Sequence, residues 1–285
     1  MDREELSRLA ELAEAEFMIR YVVDVPEPVS LALDTAHARI GGGVVLSTRH
    51  AEVHYWSKAL GFGFAEPVTR DLVDRVLAFY RERGTEVATI QIAPDRLPSD
   101  WDEIRAAEGL EPGAVIIQLA CEIDAFQIDG TTDLRIGLVP SDDADQWADV
   151  FMQGFEWPRG GSLADLMVAA VGNPRFHTYG AWDGDRVVGA ASLFVHGDVA
   201  VFCGAATLPG HRGRGAQSAL MAVRARAAAE AGCRWMVAQT WRPGPGSVNH
   251  SLNNMLRAGL VPLYDRQNWT WKSTGVGGGA ATGAE

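Results

Sequence analysis

The residues best suited to chemistry in this sequence form a loop rich in glycine and arginine. Residues 208–220 read Leu-Pro-Gly-His-Arg-Gly-Arg-Gly-Ala-Gln-Ser-Ala-Leu and separate an apolar strand pattern from an alanine-rich helix pattern. Gly213 and Gly215 permit positive φ angles and let a ligand approach the backbone closely. Successive amides at a helix start bind anions, and Arg212 and Arg214 can add bidentate contacts to phosphate oxygens. The segment Arg212–Gln217 therefore predicts a diphosphate site.

The charge pattern around this loop favours the same kind of ligand. The chain has a formal net charge of -12, yet residues 199–229 contain no Asp or Glu and include Arg224 and Arg226 beside the two loop arginines. An ordinary strand–loop–helix corner with solvated arginines is the simpler alternative. Other phosphate motifs fit poorly, because the glycines do not form G-x-G-x-x-G and neither Gly-Lys-Ser nor Gly-Lys-Thr follows them.

Composition limits the class of protein. A length of 285 residues predicts two domains, and 47% hydrophobic with 22% charged residues is typical of a globular protein. The negative net charge argues against binding to nucleic acid or anionic membranes, and no apolar run reaches the roughly 20 residues that cross a bilayer. The three cysteines, Cys121, Cys203 and Cys233, have no paired spacing, which argues against disulfides and zinc knuckles. A cytoplasmic protein without a bound metal is the prediction.

The second half of the chain predicts the elements that hold the loop. Hydrophobic periodicity and turn residues predict helices at 144–151 and 162–171, a β-hairpin at 176–182 and 186–195, and a strand at 199–208. After the loop the pattern predicts a helix at 216–231, a strand at 235–240, a helix at 249–258 and a strand pair through Trp271.

The first half repeats this plan. After an amphipathic helix at 3–18, the pattern predicts a helix at 69–83, a strand at 87–93, a short helix at 100–107 and a strand at 114–121. Gly84 and Gly109 follow these helices as Gly232 and Gly259 follow theirs, and glycine suits a left-handed helix cap. Four elements in the same order indicate a divergent duplication. The predicted domains are residues 1–128 and 129–272, followed by a disordered tail at 273–285.

The loop resembles the pyrophosphate-binding motif of the GNAT acyltransferase superfamily, Arg/Gln-x-x-Gly-x-Gly/Ala. Arg212 and Gly215 match, while Gln217 stands where Gly or Ala is usual and can reach toward the ligand or the following helix. The resemblance covers residues 133–272. It implies an α/β (α+β) fold of two tandem GNAT-like domains, each a mixed, mostly antiparallel twisted sheet flanked by helices. It also implies acetyl-CoA or another acyl-CoA as co-substrate.

The resemblance carries site residues onto this sequence. The strand before the loop would offer its backbone to the pantetheine arm, and the helix that begins near Asn249 would meet the coenzyme through Asn and Ser. The predicted coenzyme contacts are Ala206, Thr207, Leu208, Arg212, Gly213, Arg214, Gly215, Ala216, Gln217, Asn249, Ser251 and Asn254.

The catalytic groups are less well marked. The family implies that a base removes a proton from an acceptor amine, which then attacks the thioester, while an acid can protonate the departing thiolate. Glu156, between two aromatic residues, is the predicted base, with a solvated loop glutamate as the plainer alternative; His177 and His196 are further candidates. Tyr264 is the predicted acid, because Met255 occupies the position where many members carry a tyrosine.

The first half lacks the loop. Gly61 and Gly63 precede its long helix, but no arginine stands at the matching place and Glu66 would repel phosphate. This half is therefore predicted to be a degenerate copy that binds no coenzyme.

The resulting hypothesis is an N-acyltransferase that passes an acyl group directly to a small amine or amino-acid-like acceptor in a ternary complex. No nucleic-acid or membrane partner is expected, and a homodimer is compatible with the sequence. Strand 199–208 carries no carboxylate, which leaves two alternatives open. One is a coenzyme-binding protein or sensor without transferase activity, and the other is a GNAT-like enzyme that uses acyl-CoA in a different reaction.

Overall fold

The chain combines helices with strands of a mixed sheet. The computed structural model describes residues 3–273. The helices are α1 (Arg3–Val23), α2 (Glu27–Leu33), α3 (Arg70–Arg83), α4 (Trp101–Ala107), α5 (Ala144–Gly154), α6 (Gly161–Ala170), α7 (Ala216–Glu230) and α8 (His250–Arg257). The strands are β1 (Thr35–Ile40), β2 (Gly43–Thr48), β3 (Lys58–Leu60), β4 (Val87–Gln91), β5 (Glu111–Glu122), β6 (Arg135–Leu138), β7 (Phe176–Asp183), β8 (Arg186–His196), β9 (Val199–Thr207), β10 (Trp235–Trp241) and β11 (Val261–Lys272).

Internal contacts divide the chain into two units. Of the described residues, 3–117 and 264–273 form the first unit, and Gln118–Leu263 form the second. Both divisions fall inside strands, β5 and β11. The predicted limits of 1–128 and 129–272 describe repeats along the sequence and stay a prediction. The predicted disordered tail lies outside the described residues, except for Ser273.

The first unit contains the strand order β1-β2-β3-β4-β11-β5. Strands β1, β2 and β3 are antiparallel, β3 and β4 are parallel across α3, and β11 pairs antiparallel with β4. Helix α3 begins at a Thr69 cap and buries one apolar face. The core between α3 and the sheet includes Leu72, Val76, Tyr80, Ile90 and Trp269.

The second unit repeats this topology in the order β5-β10-β9-β8-β7-β6. Strands β6 to β9 are antiparallel, and β9 and β10 are parallel across α7. Trp147 and Phe151 are buried on α5, and the indole nitrogen of Trp147 donates to the Tyr179 carbonyl at 2.9 Å. Three antiparallel strands, a helix and a parallel strand thus occur in both units, which is the tandem α/β arrangement expected from the sequence.

Most predicted elements occur within a few residues of their predicted bounds. The strand pair through Trp271 is wrong, because residues 261–272 form the single strand β11. In the middle of this strand Arg266 is fully buried and pairs with Glu11 and Glu14 at 2.7 and 2.8 Å. The prediction also omitted α2 and the strands β1, β2, β3 and β6.

The start of α3 occupies the place in the first unit where a coenzyme loop would lie, and the absence of coenzyme binding there stays a prediction. The Thr69 hydroxyl accepts a hydrogen bond from the Leu72 amide at 3.3 Å, so the start of α3 is capped by its own side chain. A Cβ on Gly63 would lie 2.7 Å from the Arg96 side chain, so this turn is already packed. The start of α3 therefore differs from the start of α7, because one of its first-turn amides already has a side-chain acceptor.

Candidate functional site

Two neighbouring strands of the second unit separate at their ends. Strands β9 and β10 pair from Val199 to Phe202, with Phe202 opposite Ala238. Both strands continue past this point, β9 to Thr207 and β10 to Trp241, with no further register between them in the described chain. Residues Val199–Cys203 are buried, whereas residues 204–207 are partly or fully exposed. The backbone edge of β9 is thus open along the stretch predicted to meet the pantetheine arm.

A β-bulge marks the place where the separation begins. Ser192 of β8 lies opposite Cys203 and Ala191 lies opposite Ala205, so Gly204 is the extra residue. Gly204 has φ 62°, which a side chain would oppose, and a Cβ there would lie 3.0 Å from the Phe151 ring. The sequence analysis overlooked this bulge, although a lone glycine inside an apolar strand pattern is the usual signal for one.

The glycine-rich loop presents unused amides at the start of α7. Pro209–His211 form a single 3-10 turn, Gly213 and Gly215 have φ of 79° and 81°, and Gly215 caps the helix. The amides of residues 213–218 donate to no acceptor within the part of the chain that the structure describes. A Cβ on Gly213 would meet no atom within 4 Å. The loop is therefore open in front, and its amides can bind an anion as the sequence predicts.

The two loop arginines have different surroundings. Arg214 pairs with Asp133 at 2.5 Å and with Asp183 at 2.7 Å. Hydrogen bonds to Asp183 and Asp133 raise the pKa of Arg214 above its ordinary value. The Arg212 guanidinium donates only to the Thr207 carbonyl, at 3.3 Å, among residues 3–273 and makes no ion pair with them. Arg212 is therefore the uncompensated charge of the loop, while Arg214 fixes the loop to its neighbours.

A segment before β6 supports the loop from behind. The Thr132 hydroxyl donates to the Arg214 carbonyl at 2.6 Å, and the Asp129 carboxylate accepts from the Thr131 amide at 2.9 Å. A Cβ on Gly215 would lie 2.4 Å from the Thr131 carbonyl oxygen. Glycine is required at 215 both by its positive φ and by this close approach.

Gln217 joins the loop to α8. Its amide nitrogen donates to the Ser251 hydroxyl at 2.8 Å, and its oxygen accepts from the Asn254 amide at 2.6 Å. The structure thus brings together three residues that the sequence assigned to coenzyme binding. Asn249 is different, because it caps α8 through the Leu252 amide and donates both side-chain protons to β10, at Thr240 and Trp241.

Glu156 lies two residues beyond the end of α5, and that helix end packs against the open part of β9. The last residue of α5, Gly154, would place a Cβ 2.4 Å from the Cβ of Ala206. The Glu156 side chain is exposed and makes no hydrogen bond or ion pair with the described residues. Its φ of 56° is a left-handed conformation that is uncommon for a residue with a side chain. This placement agrees with the predicted base, whose role stays a prediction.

The other candidate acids and bases are less favourably placed. Tyr264 belongs to the first unit and donates its hydroxyl to the Glu11 carboxylate at 2.8 Å. Burial, with the nearby Glu11 charge, raises the pKa of Tyr264 well above its ordinary value, so it holds its proton firmly. His196 pairs with Val199, at the opposite end of β9 from the Gly204 bulge, and His177 is half-buried on β7. The role of Tyr264 as an acid stays a prediction.

The described residues contain neither a metal-binding cluster nor a membrane-spanning helix. Residues 3–273 contain no group of three or more His, Cys, Asp or Glu side chains that could hold a metal ion. Across the same part of the chain, no helix has the length and apolar character needed to span a membrane.

Comparisons with known proteins agree with this geometry. Residues 144–249 match the sequence model of the Acetyltransferase (GNAT) family. No curated protein matches the chain by sequence.

Solved structures share the fold across almost the whole chain. A GCN5-related N-acetyltransferase from Kribbella flavida is 14% identical, with a TM-score of 0.57 and coverage of 94% of this chain and 96% of that one. A tandem GNAT protein from the clavulanic acid biosynthesis pathway is 16% identical, with a TM-score of 0.56 and 95% coverage of both chains. A functionally unknown conserved protein from Staphylococcus epidermidis is 13% identical, with a TM-score of 0.58 and coverage of 88% and 99%. At these identities the likeness shows the tandem fold alone.

Proposed function

We propose that the chain, whose residues 144–249 match the Acetyltransferase (GNAT) family, transfers an acyl group from acyl-coenzyme A, in the first place acetyl-CoA, to a small primary amine. The observation that carries this proposal is the open row of amides at residues 213–218, next to the separated strands β9 and β10. A diphosphate fits such a row, because it presents several anionic oxygens to converging N–H donors.

In this proposal, different residues contact different parts of the coenzyme. The amides of residues 213–218 bind the diphosphate, and Arg212 supplies a charge that no acidic side chain of the described residues neutralises. The open edge of β9 that ends at Ala206 and Thr207 runs beside the pantetheine arm, where backbone groups can pair with its amides. Leu208, the third residue predicted to make this contact, is buried after the strand and donates its amide to the Val188 carbonyl at 2.9 Å. Gln217, linked to Ser251 and Asn254, closes the site on the side of α8.

The chemistry needs a proton acceptor and a donor for the thioester oxygen. The amine nitrogen forms a bond to the thioester carbon, the carbon–sulfur bond breaks, and the sulfur leaves with the bonding pair. An amide of the exposed stretch after Gly204 stabilises the negative charge that develops on the oxygen. Glu156 accepts the amine proton, directly or through one water. A thiol has a pKa near 8.5, so the leaving thiolate can take a proton from solvent and needs no dedicated acid.

The acceptor is proposed from the charges near β9. Glu156 is an exposed carboxylate without a partner among the described residues, while the nearby Arg159 is neutralised by a bidentate pair with Asp149 at 2.6 and 2.8 Å. This side of the site therefore favours a cationic amine. The three cysteines are free thiols, which is typical of proteins in a reducing compartment, and we place the reaction in the cytoplasm.

Coenzyme binding and thiol release test the proposal. Acetyl-CoA should raise the melting temperature, Arg212→Glu should abolish the shift, and Arg226→Glu, an exposed change on the same helix, should leave it unchanged. The absence of any shift at millimolar coenzyme would reject the proposal. Thiol release from acetyl-CoA across a library of amines separates transfer from binding alone, because a sensor would shift in melting temperature without releasing coenzyme A.

A further inference from the structure

A buried arginine lies beneath the bulge of β9. Arg224, on α7, is 2% exposed and makes no ion pair within residues 3–273. Its guanidinium donates to the carbonyl oxygens of Leu220 at 3.0 Å, Ser192 at 3.1 Å and Gly204 at 3.5 Å. The charge also lies 4.1 Å from the centre of the Phe202 ring. These contacts connect α7 to both strands at the point where their register shifts.

The charge of Arg224 is retained in spite of its burial. Burial lowers the pKa of Arg224 to about 10, so the side chain is still a cation at neutral pH. A buried cation without a carboxylate partner destabilises a fold unless hydrogen bonds and ring contacts offset its lost hydration, and apolar side chains of similar volume are often as stable or more stable. The chain therefore holds positive charge at a place where core packing alone favours an apolar side chain.

The contact with the Gly204 carbonyl has a directional consequence. In a trans peptide the carbonyl and the following N–H point in opposite directions. Because the Gly204 carbonyl accepts from Arg224 on the α7 side of β9, the Ala205 N–H points away from α7. The same contact polarises this peptide, since a hydrogen bond to a carbonyl strengthens its N–H as a donor. Gly204 itself is exposed, so this peptide borders the open stretch of the strand.

We propose that Arg224 is a positioning residue for acyl transfer: it holds the bulged peptide in place, and its positive charge strengthens the amide that stabilises the thioester oxygen. This inference rests on the proposed function. It adds the residue whose positive charge contributes to the electric field at the thioester carbonyl. Arg224 acts through the Gly204 peptide in this proposal, because its hydrogen bonds go to backbone carbonyls.

Infrared spectroscopy and single-turnover kinetics test this role together. The carbonyl stretch of [1-13C]acetyl-CoA bound to the full chain should move to higher frequency in Arg224→Met, since less positive field acts on the oxygen. The single-turnover transfer rate should fall by at least about tenfold, or about 1.4 kcal/mol, while the coenzyme Kd changes by less than about threefold. Arg224→Lys, which keeps the charge, should recover part of both effects. Arg226→Met, the same change at an exposed position of α7, should behave like the wild type.

Each remaining outcome decides the question. A folded Arg224→Met protein with an unchanged stretch and rate overturns the inference. So does a variant whose melting temperature and coenzyme affinity fall while the stretch stays fixed, because that pattern is purely structural. If Arg224→Met does not melt cooperatively, Arg224→Gln, which keeps a donor but removes the charge, takes its place. A wild type that binds acetyl-CoA without transfer contradicts the proposed function but still tests Arg224 through the stretch, whereas absence of binding contradicts both.

Discussion

Replacing Gly215 with alanine should damage both stability and coenzyme binding. At φ 81° an alanine is strained by about 1–2 kcal/mol. Its Cβ would also lie 2.4 Å from the Thr131 carbonyl oxygen, so backbone must shift, and overpacking of this kind costs about 1–3 kcal/mol. Gly232→Ala is the matched control, because Gly232 has φ 77°, lies in the same unit and has no atom within 4 Å of its Cβ position. The difference between the two variants isolates the contact with Thr131.

Thermal unfolding and calorimetric titration with acetyl-CoA measure this difference. We expect Gly215→Ala to melt below Gly232→Ala by roughly 2–4 °C for each kcal/mol of the additional clash. The backbone displacement that relieves the clash should also move the amides of residues 216–218. Losing one hydrogen bond to a charged oxygen costs about 1.5–3 kcal/mol, which weakens coenzyme binding by at least about tenfold in Kd. Gly232→Ala should bind like the wild type. Equal melting temperatures and equal affinities for the two variants would refute the account of this turn.

Two further substitutions and one labelling experiment test other parts of the structure. Gln217→Ala should lower the free energy of unfolding by about 1 kcal/mol for each lost hydrogen bond, to Ser251 and to Asn254, and weaken coenzyme binding with little effect on the transfer rate; equal losses in binding and rate would argue against this role. Arg266→Met should destabilise the first unit by about 3–5 kcal/mol in urea unfolding, because Glu11 and Glu14 would be left buried without their partner; a melt like that of the wild type would contradict this. Burial raises the pKa of Cys121 to about 12, so this thiol should stay protonated at pH 8 and resist iodoacetamide until urea is added, as mass spectrometry can show.

Local patterns were sufficient for much of the fold and for the loop. Helix α3 has an amphipathic face, a Thr69 cap and a following glycine, and all three signals lie within a few residues of one another. The loop was recognisable for the same reason, since Gly213, Gly215 and the start of α7 are adjacent in sequence. Signals of this kind depend on neighbouring residues alone.

Features that depend on distant partners were not predictable. Arg214 reads as a phosphate ligand in the sequence, but its partners Asp133 and Asp183 lie 81 and 31 residues away. The middle of β11 is polar in sequence, and its Arg266 is buried because it pairs with Glu11, which lies 255 residues earlier. Nothing near such a residue in the sequence indicates which carboxylate will neutralise it. The difference between Arg212, which has no acidic partner in the described chain, and Arg214, which has two, is therefore visible only in the three-dimensional structure.

The most direct test of the central claim is the response of individual backbone amides to coenzyme A. Nuclear magnetic resonance of the nitrogen-15-labelled protein can follow each amide during titration with coenzyme A, with adenosine diphosphate as a probe for the diphosphate alone. The account predicts that the amides of residues 213–218 shift with both ligands, in the direction that stronger hydrogen bonding produces, while the matching start of α3 in the first unit does not respond. Unchanged amides at residues 213–218 under saturating coenzyme A would contradict it.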